Sequence, residues 1–158
     1  MMVYYVRAIY FRQEKYDLSE YHFRKTLTIN LQSSVLHCHL GMAQHANGKL
    51  SDALETLAGA FRVNPRNTQA RYQRATIWMS MNKTQEALEE LERVRDAAPK
   101  ESSVHFAMGR VLKRLGRLDE AMKSFLTALD LEPKDNDLIK AAINRLGEPD
   151  MDEEVPTF

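Results

Sequence analysis

Four residues of one short stretch, His37, Cys38, His39 and His45, carry the imidazole and thiolate groups that bind zinc. Their spacing keeps them apart. On a helix, successive residues diverge by about 100°, so His37 and His39 cannot share a ligand face with Cys38, and only Cys38 and His45 align. No stretch joins a serine or cysteine nucleophile to an orienting base, and no glycine-rich phosphate loop occurs, so neither an enzyme nor a metal or cofactor site is expected. What remains is recognition chemistry. Arg110, Lys113 and Arg114 stand close together in sequence and suit pairing with a carboxylate.

The elements that would position these residues show up by subtraction. Pro65, Pro99 and Pro133 are spaced by 34, and the same step links Gly41, Ala75 and Gly109, then Ala53, Ala87 and Ala121. It also links Leu57, Leu91 and Phe125, and then Ala60, Val94 and Ala128. Each column has a packing reason. Small residues at 41, 75 and 109 let a first helix cross its partner closely, with the alanines facing them and the larger residues filling the space one turn later. Gly48, Asn82 and Gly116 keep the step at a position after a helix end, where a left-handed backbone is required. Ser51, Thr84 and Asp119 are expected to cap the second helices, and the prolines to close each unit. A two-helix unit with this period and these landmarks resembles a tetratricopeptide repeat. The expected fold class is therefore all-α, an α-α superhelix of about four helix pairs plus a C-terminal capping helix.

The units fall at about 1–33, 34–67, 68–101 and 102–135, with the capping helix at 136–147, all within one repeat domain over 1–147. The first is atypical: Phe23 keeps the aromatic column, but Arg7, Ser19, Thr26 and Leu31 stand where small residues and proline are expected. Asp17, with Glu20 three residues on, offers a capping box for its second helix. In the last helix Leu138, Ala141, Ala142 and Leu146 are expected to share the buried face, with Asn136 or Asp135 as N-cap and Gly147 as terminator. Such a helix covers the apolar flank of the last repeat. Residues 148–158, EPDMDEEVPTF, have proline and acid without apolar period and are expected to be disordered.

The 158 residues carry 22 basic and 22 acidic side chains. Five acids lie beyond Gly147, which leaves 22 bases against 17 acids, or +5, in residues 1–147. That mild excess, without a basic stripe interleaved with aromatics, argues against a nucleic-acid partner. No apolar run approaches the roughly 20 residues of a membrane-spanning helix, so no membrane partner is expected. The N-terminal residues lack the features of a secretory signal, and the single cysteine suits a reducing compartment.

At the level of individual stretches the chain resembles a narrower family. RQEKY, HFRKTLTIN, QSSVLHCHLG with AQHA, LEEL, PKESSVHF, and KRLGR through LDLEPKD are similar, in this order, to the C-terminal repeats of the cell division cycle protein 27 family, a scaffold subunit of the anaphase-promoting complex. Family members are much longer and homodimerise through N-terminal repeats absent here, which implies a C-terminal fragment or a shortened member. The resemblance implies a non-catalytic scaffold of a nuclear and cytoplasmic ubiquitin ligase, active in the cell cycle. It would sit beside other scaffold subunits and dock the C-terminal Ile-Arg tails of activator subunits and of a small core subunit.

Where such a tail would sit follows from repeat geometry, since stacked first helices line a concave surface at steps of three or four residues. The expected peptide-binding residues are Tyr4, Phe11, Cys38, Met42, His45, Tyr72, Met79, Phe106, Arg110 and Lys113. The apolar N-terminal end would take the isoleucine, and Arg110 and Lys113 the terminal carboxylate. No acid in this set answers the ligand arginine; a loop acid, or Tyr72 through a cation-π contact, would do so. The rival reading is a co-chaperone adaptor that grips a chaperone C-terminus. It lacks its basic clamp, because Tyr4, Ala8, Ser103 and Ala107 stand where lysine, asparagine and arginine are required. An RNA-binding array would need a repeated base-reading pair, which these columns do not show.

Overall fold

The computed structural model describes residues 2–30 and 32–149, with side chains from Gln13 onward. Every regular element among them is a helix: α1 (Met2–Ile29), α2 (Ser34–Ala46), α3 (Leu50–Val63), α4 (Thr68–Ser80), α5 (Thr84–Ala97), α6 (Ser102–Arg114), α7 (Leu118–Leu131) and α8 (Asp137–Asn144). The all-α expectation holds. The helices group into two compact units, Met1–Met81 with α1 to α4 and Asn82–Phe158 with α5 to α8. No helix is long and apolar enough to cross a membrane.

In the first unit α2 and α3 form a hairpin. Gly48 turns the chain at φ +77°, and the freed carbonyls at the end of α2 accept backbone bonds, Gln44 from Lys49 at 2.9 Å and Ala43 from Asn47 at 3.0 Å. Ala53, Leu57, Ala60, Ala70 and Ile77 are completely buried around Cys38. A Cβ on Gly41 would lie 3.1 Å from Leu57 Cδ2 and 3.7 Å from the Ala53 carbonyl oxygen. The small residue therefore makes room for the bulky column more than for the alanine expected to face it.

The second unit repeats the device. Gly116 has φ +76°, Arg117 N–H donates to the Leu112 carbonyl at 2.9 Å, and a Cβ on Gly109 would fall only 2.5 Å from Phe125 Cε1. One further bond recurs 68 residues apart and was not foreseen. Ser34 Oγ donates to the Ala60 carbonyl and Ser102 Oγ to the Ala128 carbonyl, both at 3.0 Å, so each first helix is pinned to the last turn of its partner.

The expected second-helix caps are corrected. The N-cap residues are Lys49, Lys83 and Arg117, none with a side-chain cap bond. Thr84 is already helical, and Ser51 and Asp119 sit in the first turn. The N-cap position falls on the residue directly after the left-handed one, so Ser51, Thr84 and Asp119 lie one or two positions too late to cap. Side-chain caps occur instead on α2, where Ser33 Oγ accepts from Leu36 N–H at 3.2 Å, and on α4, where Asn67 Oδ1 accepts from Ala70 N–H at 3.0 Å. Asn67 Nδ2 also donates to Ser34 Oγ at 2.6 Å and to Cys38 Sγ at 3.3 Å. Asn67→Ala is expected to destabilise the first unit by about 1–2 kcal/mol. Urea unfolding should place Asn67→Asp, which keeps the cap and loses both donors, between the variant and the wild type.

The first repeat departs most from expectation. Its predicted break is absent, and α1 runs unbroken for 28 residues. The register explains it. Glu14 occupies the position of Gly48, Asn82 and Gly116, and glutamate favours the helix where glycine or asparagine accepts positive φ. Asp17 therefore caps nothing; its Oδ1 accepts from Asn47 Nδ2 at 2.7 Å, while Gln13 Nε2 donates to Asn47 Oδ1. Glu20, in register with Leu54 and Leu88, is buried yet charged, bonded by Lys49 Nζ at 2.9 Å and Arg24 Nη2 at 3.0 Å. With no first helix folded back over them, Ser19 and Phe23 are only half-buried and Thr26 is exposed. Phe23 stacks on His39, with centroids 5.4 Å apart. Arg7 and Leu31 lie outside the described side chains.

In α8 the buried face is also corrected. Ile139 and Leu146 are buried, whereas Leu138 is 76% exposed, and the helix ends at Asn144, before Gly147. Asn136 is its N-cap; its Nδ2 donates to the Pro133 carbonyl at 3.1 Å. Residues 150–158 of the expected disordered tail lie outside the described residues.

Candidate peptide-binding site

The expected binding residues divide between the two units. In the first, α2 and α4 carry Cys38, Met42, His45, Tyr72 and Met79; the side chains of Tyr4 and Phe11 lie outside the described ones. Met42 is 48% exposed, and His45, Tyr72 and Met79 are half-buried. Cys38 is a correction: it is 3% exposed and accepts from Asn67, so it supports this face from beneath and offers no surface to a ligand. Burial also pushes its thiol pKa up, which keeps the sulfur protonated.

His45 and Ser80 join the two helices at 3.2 Å. Ser80 spends its own proton on the Thr76 carbonyl at 3.3 Å, so His45 Nε2–H is the donor and Ser80 Oγ the acceptor. Burial lowers the His45 pKa, which favours this neutral imidazole. The other ring groups of the stretch point elsewhere: His37 Nδ1 donates to the Ser33 carbonyl at 2.8 Å, and His39 lies on Phe23. Among the described residues no group of three metal-ligating side chains converges.

In the second unit α6 carries Phe106, Arg110 and Lys113. Phe106 is half-buried and tilted against Phe125, with centroids 5.7 Å apart, so one side packs on the core and the other meets solvent. Arg110 is exposed one turn further on. Lys113 is partly committed to the fold. Its Nζ donates at 3.2 Å to the carbonyl of Arg145, the residue that ends α8, where a cation offsets the unpaired carbonyls of the helix end.

Two open clefts lie on another side. A cleft of about 560 Å³ in the first unit is floored by Leu40 and Gln44 of α2, and one of about 430 Å³ in the second by Met108 and Leu112 of α6, 68 residues on. Around the axis of α2 these positions point roughly 150° away from Cys38, Met42 and His45. None of the expected binding residues lines either cleft.

A family model, the tetratricopeptide repeat, matches residues 44–105 and 79–146, two overlapping segments that together span most of the described chain. The chain belongs to the tetratricopeptide repeat family. Its repeats are protein-interaction modules, and the chain is similar to cell division cycle protein 27 homolog B of Arabidopsis thaliana, 42% identical over 69 residues, or 44% of this chain. Anaphase-promoting complex subunit 3 of Dictyostelium discoideum is 42% identical over 52 residues, or 32% of this chain. The chain spans only 9% and 5% of the lengths of these two relatives. Among solved structures the repeats are similar to MamA, with a TM-score of 0.73 at 18% identity over 84% of this chain and 77% of that one. They are also similar to YrrB, described as a tetratricopeptide repeat protein with an unusual peptide-binding site, with a TM-score of 0.71 at 22% identity over 87% of this chain and 70% of that one.

Proposed function

We propose that this chain is a non-catalytic scaffold of the anaphase-promoting complex, in nucleus and cytoplasm, whose repeats dock the C-terminal Ile-Arg tails of activator and core subunits. The similarity to cell division cycle protein 27 homolog B and to anaphase-promoting complex subunit 3 supports the complex. The observation that carries the docking mode is the pair on α6: the solvent-facing side of Phe106, with exposed Arg110 one turn away. Because the isoleucine is the residue before the last, its side chain packs on this ring rather than on the apolar N-terminal end expected for it, and the guanidinium pairs with the terminal carboxylate in two parallel bonds. Positioning and avidity, rather than bond making, are then the contribution of the chain to ubiquitin transfer.

Fluorescence anisotropy with a labelled decapeptide ending in Ile-Arg tests this. Arg110→Glu is expected to weaken binding at least about tenfold, the loss of a charge-assisted pair, with unchanged helical circular dichroism. Equal affinity for the free-acid and C-terminally amidated peptides would remove the carboxylate role. Co-purification of chaperones in place of ubiquitin-ligase subunits would overturn the assignment to the complex.

A further inference from the structure

The cleft of the first unit has features that its counterpart in the second lacks. Gln44, on its floor, is only 2% exposed, and its Oε1 accepts from Thr56 Oγ1 at 2.6 Å. Its Nε2 is neither bonded nor sealed from solvent among the described residues, which leaves an amide donor presented from the floor. Two residues at the same step of the repeat, Trp78 and Leu112, cannot do this, since neither carries an amide. Gly59 widens the floor: a Cβ there would lie 2.6 Å from His37 Cδ2.

The wall built by α3 is bipolar. Exposed Glu55 stands toward its N-terminal end and exposed Arg62 at its C-terminal end, both lining the cleft. They are seven residues apart, or about 10 Å along the helix, close to the roughly 9 Å of one three-residue turn of polyproline II chain, whose backbone carbonyls are free. We infer that this cleft is a second peptide-binding site, distinct from the α6 pair, which takes an extended segment in the polyproline II conformation carrying a basic and an acidic residue three positions apart, one full turn, so that both face the α3 wall. The basic residue pairs with Glu55, the acidic one with Arg62, and Gln44 Nε2 donates to a backbone carbonyl between them. Burial of the amide gives the site its selectivity for extended backbone, because a helical segment has no carbonyl free to meet it.

The test is an NMR titration of the ¹⁵N-labelled chain with two capped octapeptides, Ac-Ser-Val-Lys-Thr-Val-Glu-Val-Ser-NH2 and the same sequence with lysine and glutamate exchanged. A control has alanine at both charged positions. One charge order is expected to shift the Gln44 side-chain amide signals and to bind about tenfold tighter than the control. Gln44→Leu, which installs the residue of the second cleft, should remove that advantage. The double reversal Glu55→Lys with Arg62→Glu should transfer the preference to the other charge order while the fold is kept. Binding of both orders no tighter than the control, or a preference that survives Gln44→Leu and ignores the reversal, overturns the inference. The Ile-Arg peptide is read in the same samples, so failure here and failure at Arg110 are separable.

Discussion

Phe125→Ala is expected to cost the second unit about 3–5 kcal/mol. The ring is 1% exposed and fills the space between α6 and α7 left open by Gly109. The two positions are one device. Gly109→Ala in the wild type brings a methyl within 2.5 Å of the ring, and a ring enclosed on every side has no cheap way to move, so overpacking outweighs the better helix propensity of alanine. With Phe125 already truncated, the same Gly109→Ala change should become neutral or stabilising. Urea unfolding of the four proteins of this cycle measures the coupling, and additive effects would show that the glycine has another purpose. Gly41→Ala meets Leu57 at the milder distance of 3.1 Å and provides the graded comparison.

The second large effect is a dependence on pH. Burial works against the Glu20 charge, but hydrogen bonds from Lys49, Arg24 and Asn47 together outweigh it and hold the pKa at about 2, against 4.5 for the free side chain. Because the folded value is the lower one, the network stabilises fully above pH 4.5, and its contribution is lost as the pH falls toward 2. Glu20→Gln should cost about 1–3 kcal/mol at pH 7, in line with hydrogen bonds to a charged group. The difference between wild type and variant should shrink through the acid window, as the wild-type carboxyl takes up its proton. A constant difference from pH 7 to pH 3, measured by denaturant unfolding, would assign the stability of this corner to packing instead. The site matters because, among the described residues, Glu20, Asp17 and Gln13 make the polar contacts that fasten the unbroken α1 to the turn between α2 and α3.

Both effects rest on residues whose column membership was visible before any coordinates. Gly109 and Phe125 fall in register with Gly41 and Leu57 because contacts between a first and a second helix recur at a fixed chain separation. Glu14 stands at the turn position in the same register, and the break between two helices is decided by the one residue that must go left-handed; the aromatic column at Phe23 carries no information about it. The binding face was legible only in part. Spacing placed Met42, His45, Phe106 and Arg110 on first-helix faces, but it could not say that Cys38 lies beneath the surface or that Lys113 reaches a carbonyl 32 residues away.

By itself the amino-acid sequence determined the repeat: the period, the helical class, the turns at Gly48, Asn82 and Gly116, and the pairing of small with large residues across each hairpin. These follow from backbone preference and from contacts at constant separation, both of which a single chain writes out several times. The tertiary structure alone decided which faces stay open. Whether Gln44 is a core residue or the floor of a cleft, and whether Cys38 lies at the surface or beneath it, depends on what packs against each helix, and a periodic pattern carries no record of that.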